Sequence, residues 1–130
     1  MTRGFEFPAV FLLGGLAYGA VELLWRGRTH WTMLLTGGLC FLFLYRTATG
    51  TALSPLRQYA LCAGFITAAE FLTGAAVNRA LGWNVWDYSG RPMNLYGQIC
   101  LRYTVYWFFL SIPGCALARL LYRSVFHRLL

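Results

Sequence analysis

With 130 residues the chain has room for one domain, and hydrophobic residues make up 58% of it against 12% charged. Soluble domains carry about 25% charged residues, so a soluble fold with a wetted surface is excluded. The net charge of +7 comes wholly from arginine, placed singly at segment ends and in loops, where snorkelling and topology account for it and a nucleic-acid partner is excluded.

The apolar residues fall into four stretches, 7–25, 31–45, 59–77 and 95–121. At about 1.5 Å per residue the first and third each reach roughly 28 Å, close to the hydrocarbon thickness of a bilayer. The expected fold is all-α: one polytopic domain over residues 1–130, with four transmembrane helices in the lipid bilayer. A cleaved signal peptide is not expected at the start. The first run is long for that role, carries Glu22 and is followed by three more apolar runs.

Along the chain, the first span breaks at Arg26-Gly27-Arg28-Thr29-His30, between Trp25 and Trp31. Ser54-Pro55 and Arg91-Pro92 read as helix starts, and Pro113 predicts a kink in the fourth span. Trp25, Trp31, Trp83 and Trp86 cluster where an interfacial belt would lie, and Tyr45, Tyr59 and Tyr122 mark the other face. Four spans put both termini on one side. That side carries Arg3, Arg46, Arg57, Arg119, Arg123 and Arg128 against Arg26, Arg28, Arg79 and Arg91 opposite, a small bias that favours cytoplasmic termini in a cell membrane and leaves dual topology open. Cys40, Cys62, Cys100 and Cys115 form no C-x-x-C pair and have no histidine at ligand spacing, so they read as packing residues. Neither a metal nor another cofactor is expected.

A weak internal repeat is visible. A shift of 48 positions lays Glu22 over Glu70, with Gly15 and Gly19 over Ala63 and Thr67. In each helix these positions are spaced i, i+4, i+7 and share a face. Gly27-Arg28 before Met33-x-Leu35-x-Gly37 is echoed by Gly90-Arg91 before Met93-x-Leu95-x-Gly97. The expected architecture is two helical hairpins related as parallel repeats.

Both glutamates sit on stripes of small residues, which face other helices rather than lipid. A carboxylate at mid-membrane costs about 2.5–3.5 kcal/mol on insertion scales, so it should turn inward and find a partner or a proton. Arg26 lies four residues after Glu22, in the favourable order for a pair. Asn94, Gln98 and Arg102 share a face of the fourth span. These spacings predict one ligand- or ion-binding pocket formed by Glu22, Glu70, Asn94, Gln98 and Arg102. Its roof would be loops carrying Arg26, Arg28, His30, Trp86 and Asp87. For Trp86, Asp87 and His30 loop structure is the plainer reading, and buried pairs alone can fix the register of a bundle.

The chain resembles the small integral membrane proteins grouped as ABC-transporter type IV, or CmpB-like. The resemblance rests on Gly15-x-x-Tyr18-x-x-x-Glu22, Arg26-Gly-Arg-Thr-His-Trp31 and Glu70-Phe-Leu-Thr-Gly74. It continues through Trp86-Asp-Tyr-Ser89, Pro92-x-Asn94-x-x-Gly97-x-Ile99-Cys100-Leu101 and Trp107. It implies a transport component, and since no Walker-type phosphate loop is present, any ATPase would be a separate chain.

Three functions stand at this point. The first is a channel, carrier or permease subunit, expected as a homodimer because four short helices enclose little space. The small multidrug-resistance exporters are a fold-level analogy, with four helices and a membrane glutamate but no shared motif. The second is a scaffold that binds lipid or other membrane proteins. The third, a membrane enzyme acting on lipid or peptide, is the least favoured. Glu22-x-x-x-Arg26 resembles half of the glutamate motif of CAAX-processing-type proteases, but the second glutamate and the helical histidines are missing. No catalytic residue is assigned.

Overall fold

The computed structural model describes residues 2–27, 29–83, 85, 86, 90, 92–95, 97 and 99–126, the side chains of 2–4, 94, 95 and 126 excepted. Helix α1, Thr2–Arg26, begins ahead of the expected span and so draws Glu6 into the bundle. It stops at Gly27, whose φ of +76° is the left-handed conformation of a helix C-terminus. The Gly27 N–H closes the last turn on the Leu23 carbonyl at 3.0 Å. Helix α2, Trp31–Gly50, restarts at once because the His30 ring nitrogen Nδ1 accepts the Thr32 N–H at 3.3 Å and caps the first turn.

Helix α3, Pro55–Gly74, starts at the expected Ser54-Pro55 and continues as a π-helical turn, Ala75–Ala80. Helix α4, Leu101–Leu121, ends in a second π-helical turn, Tyr122–Phe126. Each of the four, with these extensions, is long and apolar enough to cross a membrane. The chain is a multi-pass membrane protein.

The start of α4 corrects the sequence reading. Of the described residues before Leu101, Leu95, Ile99 and Cys100 are in strands and Gly97 is in a turn, and Pro92 lies in a turn instead of opening a helix. Met93 at φ +55° and Gly97 at φ +72° are both left-handed, which a helix does not accommodate. The chain instead forms a short antiparallel pair, β1 (Asn94–Leu95) with β2 (Ile99–Cys100), in the register Asn94 opposite Cys100.

Helix α2 is the centre of the bundle. Half of its apolar window is buried (50%), against 17% for the fourth span. The α1–α2 seam is made by glycine. A Cβ on Gly15 would stand 2.6 Å from the Leu34 carbonyl oxygen, and one on Gly38 would stand 2.6 Å from that of Phe11. The small-residue stripe therefore serves close backbone approach.

The α3–α4 seam is antiparallel and partly polar. Arg119 donates to Gln58 at 3.4 Å, the Cys62 thiol hydrogen-bonds that of Cys115, and Trp107 donates to Glu70 at 2.7 Å. Across these three contacts each advance along α3 is matched by an equal retreat along α4. Thr67–Thr104 at 3.0 Å adds to this seam, and Thr36–Thr73 at 3.1 Å ties α2 to α3. Two apolar clusters fill the bundle. One, around Val10, Leu44, Tyr45, Cys62, Cys115 and Ala118, lies toward the termini. The other, around Met33, Val77, Val85, Trp86 and Cys100, lies under the loops. All four cysteines are buried and unbridged.

Candidate functional site

Glu22 stands one turn before the end of α1 and is only 5% exposed. Its Oε2 accepts from Arg26 Nη1 at 3.1 Å and its Oε1 from the Thr29 hydroxyl at 2.9 Å. The helix break thus delivers a second donor to the carboxylate. Arg26 reaches further, donating Nη2 to the Val85 carbonyl at 2.7 Å. The N–H groups of Val85 and Trp86 donate in turn to Asn78 Oδ1, at 2.6 and 3.3 Å. A polar chain Glu22–Arg26–Val85–Asn78 therefore fastens the loop after α3 to the end of α1. Arg26 serves as both ion-pair partner and loop latch.

Beside this chain lies a half-enclosed pocket of about 400 Å³ between α1 and α4. Tyr18, Val21, Glu22, Trp25 and Arg26 form one wall, and Tyr103, Tyr106, Trp107, Phe109 and Leu110 the other. The rings are linked edge to face: Tyr18 with Trp107 at 5.9 Å, Trp25 with Tyr106 at 6.4 Å and Tyr103 with Tyr106 at 5.3 Å. The Trp25 indole N–H also reaches the Tyr103 hydroxyl at 3.3 Å. Trp25 and Phe109 are well exposed, so the mouth opens toward the lipid-facing side of the bundle.

Glu70 is buried in α3 and does not line this pocket; it holds the pocket wall from behind by accepting the Trp107 indole N–H. Glu22 lines the cavity, and Glu70 touches a lining residue, Trp107. Arg102 does not join them. It is exposed in the first turn of α4 and is not among the lining residues. The cause is the late start of α4, which makes Arg102 a residue of the helix end rather than of its middle. Asn94 lies in β1, its side chain outside the description, and Arg28, Asp87 and Gln98 lie outside the described residues.

His30 stands between α1 and α2 as the residue that caps α2. Its ring lies 5.6 Å from that of Trp31 and 5.8 Å from that of Trp83. Trp25, Trp31 and Trp83 are exposed, whereas Trp86 is a core residue at 4% exposure rather than an interfacial anchor. The loop that Asn78 and Arg26 hold down presses it inward. Among the described residues no group of three or more His, Cys, Asp or Glu side chains could hold a metal ion.

Sequence reasoning missed Glu6. This carboxylate is buried near the terminal face and accepts a hydrogen bond from the Tyr45 hydroxyl. Its flanking Phe5 and Phe7 are the signal that the span starts earlier. It also missed the pocket roles of Tyr18 and Trp107, which meet each other across 89 positions of the chain, too far for local spacing to show, and the Thr29 hydroxyl on Glu22.

No curated protein and no solved structure matches the chain significantly. The family described as "Putative ABC-transporter type IV" matches residues 15–129, nearly the whole length and every residue of the pocket. The chain is therefore a member of the ABC-transporter type IV (CmpB) family of membrane proteins.

Proposed function

We propose that this protein is a transport component of a cell membrane, a small channel, carrier or permease subunit whose cargo passes by the pocket between α1 and α4. The observation that carries the reading is Glu22, a buried carboxylate on the wall of a cavity inside a membrane-spanning bundle. Intramembrane carboxylates that face a cavity mark ion and substrate pathways. Glu70, behind Trp107, is the second carboxylate of the same path. Membership of a family described as transporters points the same way. The working form is a homodimer with cytoplasmic termini, Glu22 and Glu70 being corresponding residues of two repeats, and a separate ATPase or other membrane protein is its natural partner.

The test uses vesicles holding the purified protein and the internal pH dye pyranine, under a potassium–valinomycin potential. Proton entry above that of protein-free vesicles is expected, and Glu22→Gln and Glu70→Gln should each suppress it. Entry equal to that of protein-free vesicles would set the transport reading aside in favour of a scaffold.

A further inference from the structure

We infer that the α1–α4 pocket is built for a single-chain amphiphile with a quaternary ammonium head, taken up sideways from the bilayer. The inference rests on the transport reading for its purpose, and on the geometry of the pocket for its chemistry. Tyr18, Trp25, Tyr103, Tyr106 and Trp107 surround the cavity, and three of their contacts are edge to face. Rings at interplanar angles of 73° to 89° stand in different planes around the space. Such a box attracts a cation through the ring quadrupoles, and a quaternary ammonium, which has no N–H to satisfy, suits it best.

The one carboxylate on the wall has acceptor capacity to spare. Glu22 accepts from Arg26 and Thr29, and a carboxylate offers about four acceptor positions. The charge of Arg26 is drawn toward the loop by the Val85 carbonyl, while the Glu22 side chain is the more deeply buried of the pair, 6% exposed against 24%. The other walls, Val21, Phe109 and Leu110, are apolar and lead to the lipid-facing rim. A volume of about 400 Å³ is near the lower end for drug-sized ligands. It accommodates one chain and a compact head rather than a two-chain lipid.

The test is equilibrium binding of radiolabelled decyltrimethylammonium to the protein in nanodiscs of phosphatidylglycerol, a lipid with no ammonium group, with empty discs subtracted. Saturable binding is expected, with decanoate a poor competitor. Glu22→Gln and Tyr106→Leu should each weaken binding by about tenfold, the scale of one desolvated cation–aromatic contact. Trp83→Leu, outside the pocket, should leave binding unchanged. Tyr106 is partly exposed, so its variant keeps the test decisive if Glu22→Gln fails to fold. Equal competition by decanoate would overturn the assignment and make Arg26 the selective group, as would unchanged binding by Tyr106→Leu. Binding is read without flux, so the two proposals fail separately. Retained binding with no vesicle transport removes the transport reading alone, and lost binding with intact proton entry removes only this assignment.

Discussion

The indole N–H of Trp107 donates to the Glu70 carboxylate at 2.7 Å, while the same ring meets Tyr18 edge to face across the pocket mouth. Tyr18 lies one turn before Glu22 on α1. A buried acid in α3 thereby sets the position of an aromatic wall that α1 needs, although α1 and α3 hold the two carboxylates on different helices.

Trp107→Phe keeps a ring in the wall and removes the donor. The Glu70 carboxyl then loses one hydrogen bond of a buried group, which costs about 1–3 kcal/mol. Thermal unfolding in detergent should show that loss. Glu70→Leu combined with Trp107→Phe should cost less than the sum of the two single changes. Strict additivity would mean that the bond contributes nothing to the fold.

Arg26 is the latch between α1 and the loop after α3. Arg26→Gln removes the ion pair with Glu22 and shortens the reach to the Val85 carbonyl. Breaking one side of a buried pair typically costs about 3–5 kcal/mol, and the 24% exposure of Arg26 places the expected loss at the low end. Amide exchange at Val85 and Trp86 should quicken, because the loop then loses its tie to α1 while keeping the Asn78 contacts. Unchanged exchange at both amides would show that Asn78 suffices.

The helices were legible in the sequence because their signals are local. Apolar length, the Gly27 break and Ser54-Pro55 each act within a few residues, and each is found where the sequence puts it. The start of α4 was not legible, since Leu95 to Leu101 is apolar enough to extend a helix, and only the left-handed backbone at Met93 and Gly97 stops it. Glu22 and Arg26 could be paired by spacing because four residues make one turn. The partner of Glu70 could not, for Trp107 is brought to it by the antiparallel run of α4 and not by any local period. Arg102 looked embedded only because the helix was begun too early.

Gly15 measures how closely α1 and α2 approach. A methyl group there would press on the Leu34 carbonyl, which is backbone and cannot step aside, so Gly15→Ala should destabilise by about 1–3 kcal/mol despite the better helix propensity of alanine. Gly64 in α3 meets nothing within 4 Å, and Gly64→Ala should be neutral or stabilising by about 0.5–1 kcal/mol. Thermal unfolding of the two variants side by side separates packing from propensity. Equal shifts would refute the close-seam reading.

Tyr45 is 1% exposed, and its hydroxyl donates to Glu6, at the opposite end of α1 from Glu22. Tyr45→Phe preserves the ring that packs with Val10, Leu44 and Cys62 and removes only this donor. The carboxylate keeps its remaining surroundings, so the loss should be that of one charge-assisted bond, about 1.5–3 kcal/mol, seen in thermal unfolding. Glu6→Gln should reduce the cost of Tyr45→Phe, because a neutral amide needs the hydroxyl less than a carboxylate does. The aromatic pocket lies at the other end of α1, so decyltrimethylammonium binding by Tyr45→Phe should match wild type. A matched loss of stability and binding would instead mean that the two ends of α1 respond as one body.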